Sequence, residues 1–207
     1  MKKAVSILCY LLFSQFINGQ EVEDKIYHLN IMSSIGSGDL TNNQVGVVNG
    51  NYLRWGVQLD TRLFKDTFLD NIFLSAGLGH SDFKGNFTVN NQSQRLQNSY
   101  IDLPIMVNFK QNLSPDNKLV FFISGGISVN YLYQSNLLSL TGDQNVDSKG
   151  FNIGGVGRIG FEYLFSNVYY LGIAIHDYRD FNDIEKNGIS NRLNNVNALN
   201  FSIGFRK

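Results

Sequence analysis

An all-β fold, an eight-stranded antiparallel up-and-down barrel built to cross a membrane, is what the amino-acid sequence predicts on three observations. Eight segments alternate apolar and polar residues with a period of two. The connections between them are short and long in turn. The charged residues at central positions of the segments fall on one face of the alternation and leave the other face bulky and apolar.

A strand sends successive side chains to opposite faces, so each segment divides into two sets. The first, "YHLNIMSSI", sets Tyr27, Leu29, Ile31 and Ile35 against His28, Asn30 and Met32. The second, "LRWGVQLDTRLF", sets Leu53, Trp55, Val57 and Leu59 against Arg54, Gly56, Gln58, Asp60 and Arg62. The third, "IFLSAGLG", sets Ile72, Leu74 and Leu78 against Ser75, Gly77 and Gly79. The fourth, "YIDLPIMVNF", sets Ile101, Ile105, Val107 and Phe109 against Asp102, Pro104, Met106 and Asn108.

The fifth segment, "VFFISGGISVNY", divides Phe121, Ile123, Ile127 and Tyr131 from Ser124, Gly126, Ser128 and Asn130. In the sixth, "FNIGGVGRIGFEY", Phe151, Ile153, Ile159 and Tyr163 oppose Asn152, Arg158 and Glu162. In the seventh, "YYLGIAIHDY", Tyr169, Leu171, Ile173 and Ile175 oppose Gly172, Ala174 and His176. The eighth, "NALNFSIGFRK", ends the chain with Leu199, Phe201, Ile203 and Phe205 opposite Asn200, Ser202, Gly204 and Arg206.

The connections after the second, fourth and sixth segments are short ("KDTFLDN", "QNLSPDNK", "FSN"). The others, over 36–51, 80–98, 133–150 and 179–195, read as long loops rich in Asn, Gln, Ser and Asp. Short turns at one rim and long loops at the other are the pattern of outer-membrane barrels.

Size decides which face meets which solvent. The set holding the charges is otherwise mostly Gly, Ser, Asn and Ala, suited to the inside of a narrow cylinder. The Leu, Ile, Val and Phe set is too bulky to crowd inside and is expected to face lipid. Tyr27, Trp55, Tyr131, Tyr163 and Tyr169 stand near strand ends on that face, where an aromatic girdle meets headgroups. A soluble lipocalin-like barrel would reverse the two faces.

The chain has 207 residues, 17 Lys+Arg and 17 Asp+Glu, so its formal net charge is zero. A nucleic-acid partner, which requires a concentrated basic surface, is not expected. A mean hydropathy of −0.12 is compatible with a barrel, because alternation averages out. Lys2 and Lys3 precede the apolar run "AVSILCYLLF", which reads as a signal peptide over 1–19 cleaved after Gly19. A short segment over 20–26 and a barrel domain over 27–207 follow. Cys9 is the sole cysteine and lies within the signal peptide, mid-run after Leu8 rather than at a lipidation site. The mature chain is therefore expected to lack disulfides, a thiol nucleophile and thiolate metal ligands.

Four stretches, "YIDLPIMVNF", "FISGGISVNY", "GFNIGGVGRIGFEY" and "LNFSIGF", together resemble the outer-membrane β-barrel domain family. That family includes OmpX- and OmpA-like barrels and the PorT proteins linked to secretion. The resemblance implies location in a bacterial outer membrane as a multi-pass protein, with lipid and lipopolysaccharide as surroundings. It implies the barrel-assembly machinery as a partner during biogenesis, with Phe201, Ile203 and Phe205 as the C-terminal assembly signal. Arg206 and Lys207 after Phe205 depart from the family's usual terminal aromatic. PorT similarity implies envelope or secretion proteins as further partners.

Motifs with chemical content each meet a plainer reading. "GVGRIG" (Gly155, Gly157, Gly160) has dinucleotide-fingerprint spacing, but strand rather than helix follows, so the glycines read as room inside a small barrel. "DQNVDSKG" (Asp143, Asn145, Asp147) begins like a calcium loop, yet Gly154 stands where a bidentate glutamate is needed. A solvated loop is the expectation, and no metal or cofactor is implied. "HSD" at His80, Ser81 and Asp82 has the residue types of a hydrolytic triad, but neighbours in a strand face opposite ways. His28 and His176 belong to the inner set.

Unpaired ions inside a narrow bore are costly, so Arg54, Asp60, Arg62, Asp102, Arg158 and Glu162 are expected to form an interior polar network that plugs the lumen. The function expected is non-enzymatic: a structural or adhesive barrel, or one that binds a partner through its loops. A PorT-like secretion accessory and a lipid-modifying enzyme are the competing readings.

Overall fold

The computed structural model describes residues 27–64, 69–89, 91–139, 142–145, 149–186 and 188–206. The expected signal peptide (1–19) and the segment 20–26 lie outside the described residues. Ten strands follow in chain order: β1 (Tyr27–Asn42), β2 (Gly46–Arg62), β3 (Ile72–Val89), β4 (Gln92–Asn112), β5 (Leu119–Ser139), β6 (Gly142–Asn145), β7 (Gly150–Leu164), β8 (Tyr169–Asp180), β9 (Ile184–Lys186) and β10 (Ile189–Arg206). Eight of these are staves of one antiparallel sheet, each paired with its neighbour in sequence, and β1 pairs β10 to close it. The remaining two, β6 and β9, are short additions on β5 and β10.

The register gives the shape. Starting at Tyr27, paired residues run through Thr61, Leu74, Val107, Gly125, Gly157, Asp177 and Asn197, and return to β1 at Ser37. One circuit therefore climbs ten residues along β1. With strand spacings of roughly 4.8 Å and a rise of roughly 3.3 Å per residue, eight strands with that stagger tilt by about 40° and enclose a bore that side chains can fill.

Short turns cluster at one rim. Ser114 Oγ accepts the amides of Lys118 and Leu119 at 3.0 and 2.9 Å, and Ser166 Oγ accepts those of Val168 and Tyr169 at 3.2 and 2.8 Å. The first turn places Asn117 at φ 55°, left-handed backbone that asparagine tolerates. The Ser114 side chain and the Lys118 amide hold the exposed Asp116 carboxyl there below the usual carboxylate range.

The other rim corrects the expectation of long loops. β1 continues to Asn42 and β2 begins at Gly46; β3 continues to Val89 and β4 begins at Gln92. Most of 36–51, 80–98, 133–150 and 179–195 is paired strand. The staves run from 12 to 21 residues, whereas roughly 9–11 suffice to cross a bilayer. Alternation persists in the projecting portion with its polarity exchanged. Many inward residues there are apolar, among them Leu40, Val48, Phe83, Leu96 and Val196, and most outward ones are polar.

The exchange on the outer face occurs at one level on four adjacent strands. Ile175, Leu199, Ile35 and Leu53 pair in a row and are all exposed. The next outward row is Asp177, Asn197, Ser37 and Asn51, also paired and exposed. The apolar set of the lower staves is the outer face, with Ile31 at 61 % and Ile175 at 56 % exposure.

Candidate functional site

The lumen has two storeys, each built by inward positions of the staves. The lower one is ionic. Asp60 on β2 accepts from Gln58 Nε2 (2.6 Å), Ser75 Oγ (2.7 Å) and Asn30 Nδ2 (3.3 Å), and Lys110 Nζ on β4 stands 3.0 Å from its Oδ2. Lys110 reaches Glu162 Oε1 on β7 at 2.9 Å and His28 Nδ1 at 3.2 Å, and lies 5.3 Å from the centre of the Phe73 ring. Arg158 donates to Gln58 Oε1 at 2.7 Å and to Met32 Sδ at 2.8 Å. Gln58 therefore relays through its amide between Arg158 and Asp60.

Higher in the bore, Arg54 Nε on β2 meets Asp102 Oδ2 on β4 at 2.5 Å, and Ser81 Oγ donates to Asp102 Oδ1 at 3.1 Å. β3 passes between the two strands with Gly79 at the crossing, where a Cβ would collide with the Asp102 carboxylate and the Arg54 guanidinium. Within these two clusters the buried ions balance, Arg54, Lys110 and Arg158 against Asp60, Asp102 and Glu162, while a further buried acid, Asp180, lies in the storey above. Balance and hydrogen bonding are what a low-dielectric interior requires of charges.

The upper storey is an apolar plug. Leu40, Val48, Tyr52, Phe83, Leu96, Tyr100, Leu132, Tyr178, Leu193 and Val196 form one buried cluster, with Ile184 of β9 folded in from above. Its tyrosines are hydrogen-bonded: Tyr178 hydroxyl bonds Asp180 and Asn130, and Tyr100 hydroxyl accepts from Asn98 at 3.1 Å. Two cavities inside the bore measure about 20 and 10 Å³, room for about one water each.

Of the six ionic residues expected inside, five are buried in the two clusters described. Arg62 departs from that expectation: it ends β2 at the short-turn mouth, half-buried, with its guanidinium 5.7 Å from the Phe73 ring centre. It stands at the end of the strand, on the lining of the mouth and outside the two buried clusters. Lys110 and Gln58 do the bridging that sequence reasoning missed. Lys110 is the next inward position after Asn108, one step past the apparent end of the fourth segment.

On the outer wall, Tyr163 and Tyr169 are about half exposed near the short-turn end, with Tyr27 on the same side. Trp55 and Tyr131 face outward at the opposite edge of the apolar wall, where Tyr131 contacts Phe151 at 4.6 Å between ring centres. His80 also faces outward, stacked 5.4 Å from Trp55 and hydrogen-bonded to the Tyr133 hydroxyl at 2.7 Å. Ser81 faces the lumen, so His80 and Ser81 are not brought together. Phe201, Ile203 and Phe205 all point outward. Gly155 and Gly157 face outward and Gly160 inward in mid-strand β7, and no helix follows among the described residues. Asp143 and Asn145 lie in β6, and Asp147 falls outside the described residues. Groups of three or more His, Cys, Asp or Glu residues placed to hold a metal are absent among the described residues.

No protein-family model and no curated protein matches the chain. Solved structures do. Neisserial surface protein A is 14 % identical, with 89 % of this chain and 98 % of that one covered at a TM-score of 0.47. The N-terminal β-barrel domain of OprF from Pseudomonas aeruginosa is 10 % identical over 88 % and 97 %, at 0.45. The outer membrane protein OprG from the same organism is 8 % identical over 88 % and 95 %, at 0.46. These are likenesses of fold alone; the closure of the barrel stands on its own register.

Proposed function

We propose that the chain is an integral, multi-pass barrel of a bacterial outer membrane that acts without catalysis. Its lumen is closed by its own side chains, and its projecting end serves structure, adhesion or the docking of a partner. The observation that carries this reading is the pair of rows on the outer wall, Ile175–Leu199–Ile35–Leu53 below and Asp177–Asn197–Ser37–Asn51 above. Apolar outside with ions inside, changing within one row to polar outside with apolar inside, matches a wall that passes from hydrocarbon into water. A lipocalin-like soluble barrel would keep apolar residues inside throughout.

The surroundings that the family resemblance implies suit this wall: lipid and lipopolysaccharide against the apolar band, and the barrel-assembly machinery during insertion, with Phe201, Ile203 and Phe205 as its signal. The non-enzymatic reading is supported by the opposed directions of His80 and Ser81. The expected product of folding is a barrel that stays intact in cold detergent. Chain refolded from urea into octyl glucoside micelles should migrate faster on a gel unheated than boiled, and should stay with membranes washed in alkaline carbonate. Release into the wash with no heat-dependent shift would overturn the reading.

A further inference from the structure

We propose that the mouth of the barrel at its short-turn end binds a small organic anion, one carrying a carboxylate or phosphate group on an apolar body. The mouth is a vestibule of about 520 Å³, within the roughly 300–1,000 Å³ of small-molecule sites. It is far larger than the cavities above it, so it is a blind cup and not a section of a pore.

Its charge is one-sided. Arg62, Lys110 and Arg206 line it, and Glu162 is the sole acid among the lining residues. Lys110 already neutralises Glu162 at 2.9 Å, which leaves two guanidinium groups. Arg62 Nε is buried without a hydrogen-bond acceptor. Arg206 Nε donates to the Asn167 carbonyl at 3.2 Å, and both residues line the cup. The two arginines come from β2 and β10, the strands that flank β1 and its His28.

Two guanidinium groups lining one space suit an oxyanion, which takes paired N–H donors in a plane. A bound anion also relieves the repulsion between the two cations. Phe73 and Tyr170 supply aromatic surface beside the charges, and Val120 and Leu164 complete an apolar side. A ligand with a charged head and a flat or aliphatic body matches both. Only the compartment of the site depends on the outer-membrane reading; the cup itself depends on the barrel.

The test is titration calorimetry on the folded full-length chain in octyl glucoside micelles, with benzoate and phenyl phosphate as probes and benzyl alcohol as the uncharged control. Both anions should bind saturably and the alcohol should not. The double variant Arg62→Gln/Arg206→Gln should weaken binding by at least about tenfold, and Arg62→Lys/Arg206→Lys by less, because charge remains while the forks are lost. Lys84→Gln, an exposed site at the far end, should leave binding unchanged. The heat-dependent gel shift certifies that each variant is folded. Absence of saturable anion binding up to about 10 mM, equal binding of benzyl alcohol, or full affinity in the folded glutamine double variant would overturn the proposal.

Discussion

Arg54 and Asp102 meet at 2.5 Å across a strand to which neither belongs: β3 runs between them, and Gly79 leaves the space for the pair. Both are buried in the bore. Removing one partner strands the other charge, which typically costs about 3–5 kcal/mol. Asp102→Ala should therefore destabilise the barrel by about that amount in urea titration of the micelle-folded protein. Asp102→Asn, which keeps an acceptor for Arg54 and Ser81, should cost less. Equal stability of Asp102→Ala and parent would show that the contact does not hold the lumen together.

Lys110 gives the sharpest contrast within the lower cluster. It neutralises Asp60 and Glu162 together, so Lys110→Met leaves two facing carboxylates unpaired. A loss of about 3 kcal/mol or more is expected in the same titration. Arg62→Gln, at the half-buried mouth, should change stability by less than about 1 kcal/mol. Similar losses for the two variants would contradict the division of the network drawn here.

How much of this was legible in the sequence differs between the two storeys. In the lower staves, residues such as Ile31, Val57 and Ile173 alternate with Asn30, Gln58 and Ala174, and period two with all charge on one side is visible locally. Higher up, Leu40 and Val48 are inward whereas Ile35 and Leu53 are outward. The phase of the pattern reverses while the backbone continues unbroken. A reader tracking the apolar set sees the strand end there, and the surrounding Asn, Ser and Gly then look like loop. Bulges at Asp39/Leu40 and Ser99/Tyr100 add a further slip of register. Pairings such as Lys110 with Glu162 depend on which strands become neighbours and on the ten-residue stagger, neither of which is written in any one segment.

Because the projecting portion is paired strand, its amides should be protected. Hydrogen exchange followed by mass spectrometry should show peptides over 82–89 and 92–97 exchanging as slowly as those over 101–109. Loops would exchange far faster at the same pH. Exchange of 82–89 and 92–97 at loop rates would contradict an upper storey of paired strands.

The filled bore sets an electrical expectation. With internal cavities of about 20 and 10 Å³, protein inserted into a planar bilayer should show no ohmic steps. Steps in the parent chain, suppressed in Lys110→Met, would show instead that the ionic cluster lines a path.

Lipid contact has a directional cost. Phe201 faces outward within the apolar wall, and Asn49 faces outward in the projecting portion. Phe201→Arg should cost roughly 2–4 kcal/mol, the depth-dependent penalty for a cation on the lipid face. Asn49→Arg should fall within about 0.5 kcal/mol of the parent.

The most direct test of the two-solvent wall is a cysteine scan along β2 with spin labels, the only native cysteine being Cys9. Labels at 53, 55, 57 and 59 should relax with dissolved oxygen, and labels at 49 and 51 with a water-soluble nickel chelate. Even-numbered positions from 48 to 60 should be shielded from both. Nickel access at 55 and 57, or oxygen access at the even positions, would contradict the claim that hydrocarbon wraps this barrel up to Leu53 and water surrounds it from Asn51 upward.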